Sequence, residues 1–178
     1  MAMQKFNKHV RLLTALAAIT LFVPTGESYA GEIQKAPGQI QAAIFVKVLS
    51  FNEGISSGGD ISVHVISAPG FAAEMKSVTG EKIGQSSLAA VNESDELPSD
   101  KPSAVYIGDE SKLDEVLRYT RKNKILSITG IPELVAKGVT LGVGISGGKP
   151  QILLNLSSSK DEAISWNYAI LKVSTTFE

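Results

Sequence analysis

Residues 138–156 read "GVTLGVGISGGKPQILLNL". The glycines and the lysine offer two opposed readings, a phosphate-binding loop or the turn of a β-hairpin, and the fold follows from the choice. A nucleotide P-loop needs G-x-x-x-x-G-K-[ST]. Lys149 does follow Gly148, but Val143 stands where the first glycine belongs and Pro150 replaces the Mg²⁺-binding hydroxyl. A P-loop also opens into a helix whose N-terminus faces the phosphate, whereas "QILLNL" (151–156) is apolar and strand-like. Two apolar runs joined by a glycine-rich link spell an antiparallel hairpin, because glycine supplies the positive φ that tight turns demand. The stretch is read as two strands, 139–145 and 151–156, with Lys149 a solvated charge at the tip.

Upstream of the hairpin the apolar period alternates between that of helices and that of strands. Ile40, Ala43, Ile44, Val48 and Phe51 recur at helical spacing, and Phe45, Val46 and Leu49 fill the gaps. This predicts a helix over 36–51, buried nearly all round, with Lys47 its only charge. Strands are predicted at 61–67, 87–91, 104–107 and 125–129. A short helix through Phe71, Met75 and Val78 follows the first of them and is closed by Gly80. A polar loop spans 92–102. A helix capped by Asp109 or Ser111 carries Leu113, Val116, Leu117 and Thr120 on one face, and a short helix covers 132–137. A final helix is expected over about 160–175. Strands alternating with helices imply an α/β fold: a mainly parallel sheet flanked by helices, with a C-terminal antiparallel β-hairpin and a final helix.

The N-terminus has the layout of a secretory signal. Lys5, Lys8 and Arg11 precede an apolar run over 12–23, and Ser28 and Ala30 fit the small-residue cleavage pattern. The expected division is a signal peptide at 1–30, cleaved near Ala30, and one domain over 31–178, exported to the periplasm. Twelve apolar residues fall short of the about 20 that span a bilayer, so no stable anchor is expected after cleavage. From Gly31 onward 14 basic and 17 acidic residues remain, a net charge of about −3 with no basic run. That argues against nucleic acid, whose binding rests on phosphate neutralisation. The chain has no cysteine, so thiol catalysis, disulfides and cysteine-bound metals are excluded.

Little in the sequence speaks for catalysis. His64, the single histidine after residue 30, lies inside an apolar strand, and no G-x-S-x-G elbow supplies a nucleophile for it. It is read as a packed, hydrogen-bonded residue. Asp95, Glu96 and Asp100 lack the spacing of a calcium loop and are read as a solvated turn. No cofactor or metal site is expected. In open parallel sheets ligands gather at the C-terminal strand ends, which marks Pro69, Gly70 and Asp109 as candidate contacts. In the final helix Trp166 and Tyr168 are candidate aromatic anchors for a partner. Asn155, at a strand end, and Asn167, bordering the core, are candidate structural amides.

Three stretches carry a resemblance to the YfiR-like family of bacterial periplasmic proteins. "AAIFVKVLSFNEGI" (42–55) resembles the family's opening helix. "AVYIGDESKLDEVLRYTRKNKILSITG" (104–130) is similar to its strand–helix–strand unit. The hairpin of 138–156, followed by "DEAISWNYAILKVS" (161–174), resembles its Gly-led hairpin and last helix. Departures are the missing Trp-Pro after the first helix and Ala163-Ile164, where relatives often carry Gly-Leu. The resemblance implies a non-enzymatic regulator that binds an envelope signalling partner, such as the periplasmic part of an inner-membrane diguanylate cyclase. Through that partner it would hold down cyclic-di-GMP synthesis and biofilm formation. It also implies a homodimer, and it carries Asn155 over to the family's Ile-Asn-Leu motif, with no catalytic residue to transfer. A small-molecule binding module using the strand-end crevice is the alternative.

Overall fold

The structure, a computed structural model, describes residues 32–178. The expected signal peptide and its cleavage site lie outside the described residues. Along the chain run β1 (Gln34–Lys35), α1 (Gly38–Leu49), β2 (Gly59–Ile66), α2 (Pro69–Ser77), β3 (Lys82–Ile83), β4 (Ser86–Ser94) and β5 (Ala104–Ile107). They are followed by α3 (Leu113–Asn123), β6 (Leu126–Thr129), α4 (Glu133–Ala136), β7 (Leu141–Ser146), β8 (Lys149–Asn155), α5 (Leu156–Asp161) and β9 (Ser174–Phe177). One sheet in the order β3-β4-β2-β5-β6-β7-β8-β9 holds the strands together, with β1 added to β7. The β4–β2–β5–β6–β7 core and the β8–β9 pair are parallel, while β3–β4, β7–β8 and β1–β7 are antiparallel. The fold is therefore the mixed α/β sheet that the alternation predicts.

The central strand β5 is apolar on both faces, as a parallel strand covered by helices on both sides must be. Ala104 and Tyr106 of β5 join a core with α1 and α2, whereas Val105 and Ile107 join a second core with α3 and α4. Phe45, Phe71 and Tyr106 form the aromatic centre of the first core, Phe71 stacking on Tyr106 at 3.8 Å between ring centroids. Leu113, Val116 and Leu117 put the apolar stripe of α3 on the second.

The hairpin forms as the glycines dictate. Ser146 pairs with Lys149 across Gly147 and Gly148, whose φ values of 56° and 73° suit a two-residue turn that needs positive φ at both positions.

Two expectations change in extent. The helix of 36–51 is shorter, and it is not buried all round: Gln41, Ala42, Phe45, Val48 and Leu49 face inward, while Ile40, Ala43 and Lys47 are exposed. A helix does follow the hairpin, but it starts earlier and ends sooner than 160–175. After α5, Ala163 turns into the left-handed region (φ 56°), a single 3₁₀ stretch covers Tyr168–Lys172, and the chain finishes as β9, parallel to β8. The segment 163–178 is here called the C-terminal arm.

Candidate partner-binding surface

The expected contact residues fall in separate places. Pro69 and Gly70 open α2 and are exposed. Gly70 lines a cavity of ≈ 380 Å³ at the C-terminal ends of β2 and β5, with Lys35, Gln41, Phe71, Glu74, Tyr106 and Gly108 among its walls. Beneath it the Tyr106 hydroxyl donates to Gln41 Oε1 (2.8 Å), and Gln41 Nε2 donates to the Ala36 carbonyl (2.6 Å). Burial pushes the Tyr106 hydroxyl well above the ordinary tyrosine range, so it stays a donor. Gly130 has no room for a side chain, because a Cβ there would overlap the Gln41 amide. Asp109 is not in this cavity wall. It caps the turn before α3, its Oδ1 accepting from Ser111 N (2.7 Å), and those hydrogen bonds hold its carboxyl below the usual range.

Trp166 and Tyr168 line a second groove of ≈ 450 Å³ with Leu156, Ile164 and Leu171. They sit on the arm rather than on a continuous helix. Trp166 is half-buried, and its Nε1 donates to Ser159 Oγ (3.0 Å), while Tyr168 is 72 % exposed. Asn167, expected to border the core, is exposed and caps the 3₁₀ stretch, its Oδ1 accepting from Ala169 N (2.9 Å). Leaving the helix at Ala163 changes the period, so the face that Asn167 would share with Ile170 does not exist. Asn155 is buried between β8 and α5. Its Oδ1 accepts from Ser158 N (2.8 Å), capping α5, and its Nδ2 donates to the Val135 carbonyl (2.9 Å).

A groove larger than these two was not anticipated from the sequence. It measures ≈ 730 Å³ and runs between α1 (Ile44, Val46, Lys47, Val48), Phe51, the β3 turn (Lys82, Gly84) and the β8–β9 side (Pro150, Ile152, Val173). Its lining is mostly apolar, and Val173 is 53 % exposed. The two charges in the lining are both lysines, and Lys82 Nζ donates to the neutral Ser87 hydroxyl (2.9 Å). The sequence signal was present: α1 carries more apolar residues than one face needs, and the surplus lies open.

His64 is buried beside Ser94, with Nε2 3.0 Å from Ser94 Oγ and 3.2 Å from the Glu96 carbonyl. The carbonyl can only accept, so Nε2 is best satisfied as the protonated nitrogen. The Ser94 hydroxyl in turn donates to the Glu96 carbonyl (2.9 Å). A serine nucleophile needs the reverse, a free imidazole nitrogen accepting its proton. The pair is arranged to close a turn.

Among the described residues no helix is long and apolar enough to cross a membrane. A family model described as YfiR/HmsC-like matches residues 38–175, and the chain belongs to that family. Comparison with curated proteins returns no match. Among solved structures the chain is similar to a conserved domain protein of Vibrio cholerae O1 biovar El Tor. That likeness has a TM-score of 0.52 at 12 % identity, over 82 % of this chain and 61 % of that one. At that identity it bears on the fold alone.

Proposed function

We propose that this chain is an exported, non-enzymatic regulator that docks an envelope signalling partner in the groove between α1 and the β8–β9 side. The observation that carries the reading is the groove itself, an open apolar surface of a family member whose charged lining residues, Lys47 and Lys82, are both cationic. Its complement is an apolar segment flanked by carboxylates, and the occupant is such a segment of a membrane partner. Regulation is then thermodynamic: the protein binds one state of the partner better than another and shifts that equilibrium.

The periplasmic part of an inner-membrane diguanylate cyclase, which the family resemblance implies, is the first partner to test. Direct titration of the purified cyclase domain should show binding to the chain from Gly31 onward. Lys47→Glu with Lys82→Glu should weaken it by at least about tenfold, about 1.4 kcal/mol, with little change in melting temperature. Binding that is indifferent to these changes would remove the groove from the reading. Absence of binding to any envelope protein would remove the reading itself.

The glycine-lined cavity over Gln41 and Tyr106 favours a second reading, a small-molecule module at the strand ends. A ligand-dependent rise in melting temperature across a metabolite panel, lost on Gly70→Trp, would support it.

A further inference from the structure

Glu162 is the one fully buried carboxylate among the described residues, at 0 % exposure, and it sits at the C-cap of α5 where the arm departs. Donors from three residues converge on it, Ser127 through both its backbone N–H and its hydroxyl. Thr120 Oγ1 of α3 lies 2.7 Å from Oε1, Ser127 N of β6 lies 2.9 Å from Oε2, and Thr140 Oγ1, just before β7, lies 2.6 Å from Oε2.

Among the described residues no cation answers the charge. Of the basic residues nearest on α3 and its C-cap, Arg121 Nε lies 3.6 Å from Asp161 Oδ2, and Lys124 Nζ donates to the Asp161 carbonyl. Lys137, from the 137–140 segment, pairs with Glu110. On α5, Lys160 and Asp161 are exposed, and β6 and β7 contain no charged residue. Burial raises the affinity of Glu162 for its proton above that of an ordinary glutamate, and the hydrogen bonds offset this only in part.

The network also has a place for that proton. Thr120 Oγ1 is within 3.2 Å of the Leu117 carbonyl. When its hydrogen turns there, Oε1–H of a neutral Glu162 donates to Thr120 Oγ1, and Oε2 keeps its donors. The next residue, Ala163, is held at a positive φ that L-residues avoid. Beyond it Ile164 N bonds to the Ser159 carbonyl, and Glu53 N and Asn167 N tie residues 51–53 to the arm.

We propose that Glu162 is a proton-operated latch that fastens the α5–arm junction when neutral and loosens it when ionised. The sign follows from linkage. A carboxyl that holds its proton more tightly when buried stabilises the closed junction fully below the ordinary glutamate value of 4.5. It loses that contribution as pH rises towards the raised value of the closed state. Between those limits the opening equilibrium grows by up to about tenfold per pH unit, then levels off. The latch stands apart from the docking reading. If both hold, pH reaches the groove through Val173 of the arm.

The test uses the full mature chain and Glu162→Gln, whose amide reproduces the neutral hydrogen-bond pattern. Amide hydrogen exchange over 158–167, corrected for intrinsic rates, should show opening that increases from pH 4.5 upward in the wild type and stays flat in Glu162→Gln. The melting temperature of Glu162→Gln should match the wild type at pH 4.5 and exceed it increasingly above. Wild-type exchange that is indifferent to pH, or a variant–wild-type difference that does not change with pH, would overturn the latch. Should Glu162→Gln fail to fold, the wild-type exchange profile alone decides.

Discussion

Tyr106 and Asn155 show how single polar atoms fix this fold. Each is buried, and each satisfies a partner far away in sequence: Tyr106 serves Gln41, and Asn155 serves both Ser158 and Val135. Tyr106→Phe keeps the stacked ring but leaves Gln41 Oε1 without its donor, so unfolding free energy should fall by about 1–2 kcal/mol in urea titrations. Asn155→Ala removes a helix cap and one of the two hydrogen bonds to the buried Val135 carbonyl, which keeps Gly138 N, and the loss should be about 1–2 kcal/mol by the same measurement. Such residues are only half legible in a sequence. That Asn155 ends a strand is readable from its neighbours. That it reaches Val135 depends on α4 packing beside β8, which no local pattern states. Glu162 was illegible for the same reason, since a glutamate near a helix end looks solvated until three elements close over it.

The hairpin is the element most fully written in the chain, because a two-residue glycine turn is local chemistry. Gly148→Ala must hold an alanine at φ 73°. That should cost about 1–2 kcal/mol, seen as a lower urea midpoint with unchanged slope. The opening helix was located correctly and its environment misjudged. Apolar periodicity reports which surface can be buried, not what supplies the cover, and among the described residues the outward face of α1 is only partly covered. The last segment was misread in extent because Ile164, Tyr168 and Leu171 keep helical spacing across a break. The break is at Ala163, and the run Val173-Ser174-Thr175-Thr176, three of its four residues β-branched, is the strand signal that competes with the helical one.

At the scale of the whole molecule, alternation of helices and strands is enough to give a parallel sheet between two helical layers. Strand order is not given by it, since β4 lies outside β2 while β5 lies inside, and both connections are compatible with the same pattern. The arm adds what no pattern implies. It leaves the Glu162 cluster beside α3 and delivers Ile164, Trp166 and Ile170 to the core under α1, then covers the edge of β8 with β9. A chain ended at Val173 should therefore form larger species in light scattering than the full chain does, because β8 then exposes an unpaired edge. The sheet has an order in time as well as in space. β9 is synthesised after every other strand of the sheet, and its parallel pairing requires the whole stretch 156–173 to cross over first, a closure of low local contact and slow kinetics. Until β9 arrives, every newly made copy carries an adhesive flank. The yield of folded protein should therefore fall with concentration during refolding, even where the finished fold is stable.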